Sequence, residues 1–101
     1  MILQINTKDR KVITVALRDA QGKLVKSLTE EKEYGSQVLL PLISKLLDQE
    51  NLIFKDLKGI KVETGPGSFT GLRVGVSVAN ALGFALGIPV NSKKMEDKLV
   101  Y

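Results

Sequence analysis

The chain has no cysteine, no histidine and no tryptophan. Without cysteine there is no disulfide framework, no thiolate metal site and no thiol nucleophile. Without histidine the commonest metal ligand, a Ser-His-Asp triad and the usual general base near neutral pH all fall away. What remains is carboxylates, lysines, backbone amides and any metal held by oxygen atoms, a set that leans away from a self-sufficient enzyme. Proline is scarce, at three residues, and no block of five like charges occurs, so neither a proline-rich fibre nor a basic nucleic-acid arm is expected. What is present is the usual globular balance of 44% hydrophobic and 26% charged residues in 101 residues, enough for one domain with a real core. The net charge of +4 divides into 11 basic and 9 acidic groups over residues 1–63, and 4 and 2 over residues 64–101. A solvated surface explains this better than a basic binding face. Met1 to Ile5 carries no basic leader and no small-residue cleavage site, so a cytoplasmic location is expected.

Charge is distributed unevenly. From Thr64 to Ser92 the only charged side chain is Arg73. A run of that length raises the possibility of a membrane span. Ser77, Asn80, the glycines and Pro89, with no Trp or Tyr to mark an interface, argue against one. A helix buried on most of its faces, in a core or at a partner interface, is the expectation.

Three β-rich segments open the chain, over 2–6, 11–19 and 23–30, with a turn at Ala20-Gln21-Gly22 where glycine makes positive φ cheap. The short connections make them antiparallel neighbours. The period then changes. Apolar residues at 39, 42, 43, 46 and 47 predict a helix over 36–50, capped by Ser36 and bent by Pro41. Residues 51–58 connect, anchored by Phe54 and Leu57. A fourth strand is expected over 59–64, a loop over 65–71, a second helix over 70–86 and a fifth strand from Ile88-Pro89-Val90. The order β-β-β-α-β-α-β implies a five-stranded mixed sheet with helices, the ribonuclease H-like arrangement of an actin-like ATPase lobe. Residues 1–92 form that lobe, and 93–101 are a tail.

Gly65 to Gly71 is a glycine-rich turn between strand and helix, where free backbone N–H groups and the helix dipole favour an anion. The candidates are Gly65, Gly67, Ser68 and Thr70. The spacing matches neither the P-loop nor the dinucleotide fingerprint. A tight turn capped by Ser68 or Thr70, with Phe69 as an apolar plug, accounts for it equally well. Arg73 lies where the dipole disfavours a cation, which points to an anionic partner or to a side chain reaching solvent. Small residues recur at Gly71, Gly75, Ala79, Gly83 and Gly87, beside a bulky stripe of Val74, Val78, Leu82 and Leu86. Glycine costs up to about 1 kcal/mol against alanine in a helix interior, so close backbone approach to a sheet or another helix is expected in return. Core packing explains part of this pattern, and a helix contact with a second chain is the sharper expectation.

The run from Gly65 through Gly75, followed by Ala79 and by Ala81 to Pro89, resembles the TsaB (YeaZ) family, which assists synthesis of threonylcarbamoyladenosine in tRNA. The resemblance extends to Ile2–Thr7 and Tyr34–Ile43. It implies a scaffold subunit that performs no transfer itself, touches tRNA only indirectly, pairs with a catalytic paralogue through the helices at 36–50 and 70–86, and also self-associates. The residues expected at such interfaces are Leu39, Leu42, Ile43, Leu46, Gly71, Val74, Gly75, Val78, Leu82 and Gly83. A bulky residue at Gly75 or Gly83 is expected to split a twofold dimer without unfolding the lobe. Related ATP-binding lobes end their first strand with Asp-Thr, where this chain has Asn6-Thr7. An amide keeps the hydrogen bonding and loses the charge that holds hydrated Mg²⁺. No cofactor is therefore expected to be required, with ATP and Mg²⁺ bound only alongside a partner or a second lobe. The alternatives are a nucleotide half-site with weak ATPase activity and a peptidase. The peptidase is disfavoured by the missing histidine and cysteine.

Overall fold

Alternation of apolar and polar residues at the start of the chain builds strands that bury one face. In the computed structural model these are β1 (Ile2–Asn6), β2 (Val12–Arg18) and β3 (Leu24–Glu31). They are followed by α1 (Gly35–Gln49), a 3₁₀ turn (Phe54–Asp56), β4 (Gly59–Val62) and α2 (Phe69–Leu86). The structure describes residues 1–9, 11–31, 35–66 and 69–91, without the side chains of 35–37 and 69–70. The expected tail at 93–101 and the loop residues Gly67 and Ser68 lie outside the described residues, as does the side chain of Phe69.

The sheet order is β3-β2-β1-β4. β1 runs antiparallel to β2 and parallel to β4, and β2 is antiparallel to β3. The turn between β2 and β3 is fixed by Asp19, whose Oδ1 accepts from the backbone N–H groups of Gln21 and Lys23, both at 2.9 Å. Gly22 supplies the positive φ that this turn needs, at +83°.

Both helices contribute to a single core. Leu3, Ile5, Ile13, Val15, Leu17, Ile60 and Val62 from the sheet meet Leu39, Leu42, Ile43, Leu46 and Leu47 of α1 and Val76 and Ala79 of α2. Leu57 is buried and Phe54 packs against the same cluster, so the connector is anchored as expected. α1 begins at Gly35, one residue before the expected cap, which places Ser36 within the helix. Pro41 lies inside α1 without ending it, on an exposed position.

Among the described residues the expected fifth strand is one parallel bridge, Ile60↔Val90, and the sheet has four strands and not five. The next residue is Asn91. Its backbone adopts φ of +51°, outside the extended geometry of a strand. Its side chain then takes the place of the next strand residue. The Val62 N–H donates to Asn91 Oδ1 at 2.8 Å, and Asn91 Nδ2 donates to the Val62 carbonyl at 3.1 Å. A side-chain amide carries the same donor and acceptor as a peptide, so it completes the strand's hydrogen bonds with no further residue.

Candidate functional site

β1 and β4 are parallel neighbours, so their carboxyl ends open together. Ligands of α/β sheets commonly bind at that end. Here Gln4, Ile5 and Asn6 of β1, with Lys61, Val62, Glu63 and Thr64 on and after β4 and Asn91 beside them, line an open groove of about 390 Å³. Asn6 lies in it, with its Oδ1 accepting from the Lys8 N–H at 3.1 Å. Glu63, Thr64, Gln4, Lys61 and Asn91 were not foreseen. Pairing β1 in register with β4 sets Gln4 opposite Lys61, and only the strand order reveals that pairing. Among the described residues no group of acidic or other ligating side chains is arranged to hold a metal ion.

Thr7 is one residue further on and has a different role. It is fully buried, and its hydroxyl donates to the carbonyl of Gly71 in the first turn of α2. A Cβ placed on Gly75 would lie 2.4 Å from Thr7 Oγ1. Thr7 is therefore the contact that seats α2 on β1, and it does not line the groove. This also corrects the expectation for the glycine ridge. Gly71, Gly75 and Gly83 are buried, and the close approach that Gly75 permits is to Thr7 within the lobe.

The other expected interface residues divide in the same way. Leu39, Leu42, Ile43 and Leu46 are buried in the core, so they offer no surface to a partner. Val74, Val78 and Leu82 are half-buried and pack against that core. The exposed side of α2 consists instead of Arg73, Ser77, Ala81, Phe84 and Ala85. Phe84 is 70% exposed. A helix face turned to water ordinarily carries charge. This one has none from Val74 to its end. Nonetheless, no helix among the described residues is long and apolar enough to cross a membrane.

Of the glycine-rich turn, Gly65 and Pro66 are among the described residues. Gly65 has φ of +124°, and its N–H donates to Glu63 Oε1 at 3.4 Å. α2 begins at Phe69, so Thr70 stands inside the helix rather than at its cap, and Arg73 is its fifth residue, exposed.

Residues 29–92 match the family model described as TsaD, tRNA N6-adenosine threonylcarbamoyltransferase. The chain is 33% identical to the tRNA threonylcarbamoyladenosine biosynthesis protein TsaB of Bacillus subtilis over 91 residues, covering 90% of this chain and 39% of that one. It is 48% identical over 105 aligned positions to the tRNA N6-adenosine threonylcarbamoyltransferase of Nitrosospira multiformis, covering 89% of this chain and 30% of that one. The solved structure of YeaZ from Pseudomonas aeruginosa superimposes with a TM-score of 0.78 at 34% identity, over 88% of this chain and 40% of that chain. The four-stranded mixed sheet with its helices is thus the actin-like, ribonuclease H-like arrangement of that structure. The chain spans between three and four tenths of the length of these relatives.

Proposed function

Since the chain belongs to the TsaB (YeaZ) family, we propose that it is an accessory subunit in the synthesis of threonylcarbamoyladenosine in tRNA, without transfer chemistry of its own. Its partner is a threonylcarbamoyltransferase of the kind it resembles, docked on the outer side of α2. The observation that carries this reading is the uncharged outer face of Ser77, Ala81, Phe84 and Ala85. Exposed large apolar groups bounded by small ones are the composition of a contact core, where an aromatic anchor supplies most of the binding energy. Catalysis and the principal tRNA contact then belong to the partner. This agrees with a chain that has neither histidine nor cysteine to offer.

The groove at the ends of β1 and β4 supports a second reading, a nucleotide half-site. It holds the Asn6 amide, the Glu63 carboxylate and Lys61, polar groups able to meet a nucleotide on one side only. Calorimetry with ATP and Mg²⁺ separates the two readings.

The direct test is co-purification of the chain with a transferase from the same source. Wild type is expected to be retained. Phe84→Glu, which puts a charge at the centre of the face while leaving the core intact, is expected to weaken retention by about tenfold or more, as for an interface hot spot. Equal retention of the two would remove α2 as the docking face.

A further inference from the structure

The groove at the ends of β1 and β4 carries two opposite charges in a fixed arrangement. Leu3, Ile5, Ile60 and Val62 point into the core under the helices. The alternate residues Gln4, Asn6, Lys61 and Glu63 therefore stand on the other face of the sheet, and all four line the groove. The parallel register sets Gln4 beside Lys61. The Glu63 N–H donates to the Ile5 carbonyl at 3.0 Å, which carries the pairing on to Asn6 and Glu63. Strand spacing and twice the rise per residue put the four Cα atoms at the corners of a rectangle of about 4.8 by 6.6 Å. Both amides are oriented by their neighbours. The Arg18 Nε–H donates to Gln4 Oε1 at 2.8 Å and the Lys8 N–H to Asn6 Oδ1 at 3.1 Å, so each amide presents its NH₂ as the end open to a ligand. The Gly65 N–H donates to Glu63 Oε1 at 3.4 Å, which holds that carboxylate at the mouth of the groove with its second oxygen able to accept.

We propose that this groove binds a small zwitterionic α-amino acid. The inference rests on the groove being a ligand site, as in the second reading above, and is independent of the docking face on α2. Lys61, with the Gln4 NH₂ beside it, meets the carboxylate of the ligand, and Glu63 meets its ammonium group. Hydrogen bonds in which both partners are charged are roughly twice as strong as neutral ones. The Asn6 NH₂ and the Thr64 hydroxyl complete the lining on the Glu63 side and suit a hydroxyl or amide on the ligand's side chain. A polyphosphate fits this arrangement less well, because the Glu63 carboxylate repels it at close range. Among the described residues nothing is arranged to hold a metal ion that would bridge the two. A neutral ligand would use neither charge. A cation and an anion two residues apart on one strand face thus select a ligand that carries one charge of each sign.

Titration of the ¹⁵N-labelled 101-residue chain with L-threonine, followed by NMR, tests this, and the same spectra show whether each variant is folded. Saturable shifts are expected at the amides of Gln4, Asn6, Lys61, Glu63 and Thr64, with a dissociation constant on the order of 1–10 mM for so small a ligand. N-acetyl-L-threonine lacks the ammonium group and L-threonine amide lacks the carboxylate, so each should bind about fivefold more weakly or worse. Lys61→Met should erase the preference for the acid over the amide, and Glu63→Gln the preference for the free amine over the acetylated one. The analogue comparison on wild type decides the matter if a variant does not fold. Metal-free ATP should bind the groove more weakly than threonine. Absence of saturable shifts with threonine, shifts confined to other parts of the chain, equal binding of the acetylated compound, or variants that keep both preferences would each overturn the proposal. ATP moving the groove residues where threonine does not would overturn it and leave the nucleotide reading standing, whereas a groove silent to both would remove both.

Discussion

Gly75 and Thr7 decide how the second helix sits on the sheet. With a Cβ on Gly75 at 2.4 Å from Thr7 Oγ1, alanine has no room unless the helix moves. Overpacking of this kind costs about 1–3 kcal/mol. We expect Gly75→Ala to lower stability by that order in urea unfolding. Thr7→Ala alone should cost about 1 kcal/mol through its lost hydrogen bond to Gly71. Combined, the two should cost less than their sum, because removal of the threonine hydroxyl makes space for the new methyl group. Strict additivity would show that the contact is not the constraint. The same geometry revises what a bulky residue here would report. Gly75→Leu would damage the lobe itself, so it cannot serve as a clean test of association. The sequence made Gly75 legible as a close-approach position through its spacing with Gly71 and Gly83. Its partner was not legible, because Thr7 lies at the other end of the chain and only the fold brings them together.

Among the elements, strand ends depend on single side chains. The alternation in β1 to β3, the turn at Gly22 and the helical spacing of Leu39, Leu42, Ile43 and Leu46 are local patterns, and each produced the expected element. Ile88-Pro89-Val90 has the composition of a strand, while among the described residues only Val90 pairs, and Asn91 has non-strand geometry and an amide that binds Val62. Leu39, Leu42, Ile43 and Leu46, expected at an interface, lie in the core for a related reason. An apolar stripe announces that a face is covered, not whether the sheet or another chain covers it. Asn91→Gly keeps access to positive φ and loses both amide bonds, so it should cost about 1–2 kcal/mol in urea unfolding. Asn91→Ala should cost roughly 1 kcal/mol more, because the left-handed conformation is strained for alanine. Two variants as stable as wild type would mean that the strand end is held by something else.

At the scale of the whole molecule, one face of the sheet is covered by α1 and α2, and the outer side of α2 carries no charge beyond Arg73. The core takes up the α1 stripe and half-buries Val74, Val78 and Leu82, so the apolar face around Phe84 is what a partner would cover in the proposed reading. In the proposed reading, transfer chemistry belongs to that partner. A reconstituted assay tests this division of labour most directly: threonylcarbamoyladenosine formed on a tRNA transcript by the chain alone, by the transferase alone and by the two together. The account predicts no product from the chain alone. It predicts that the mixture exceeds the transferase alone by about tenfold, which corresponds to roughly 1.4 kcal/mol off the barrier. Modified adenosine formed by the chain alone, or a mixture no faster than the transferase alone, would contradict it.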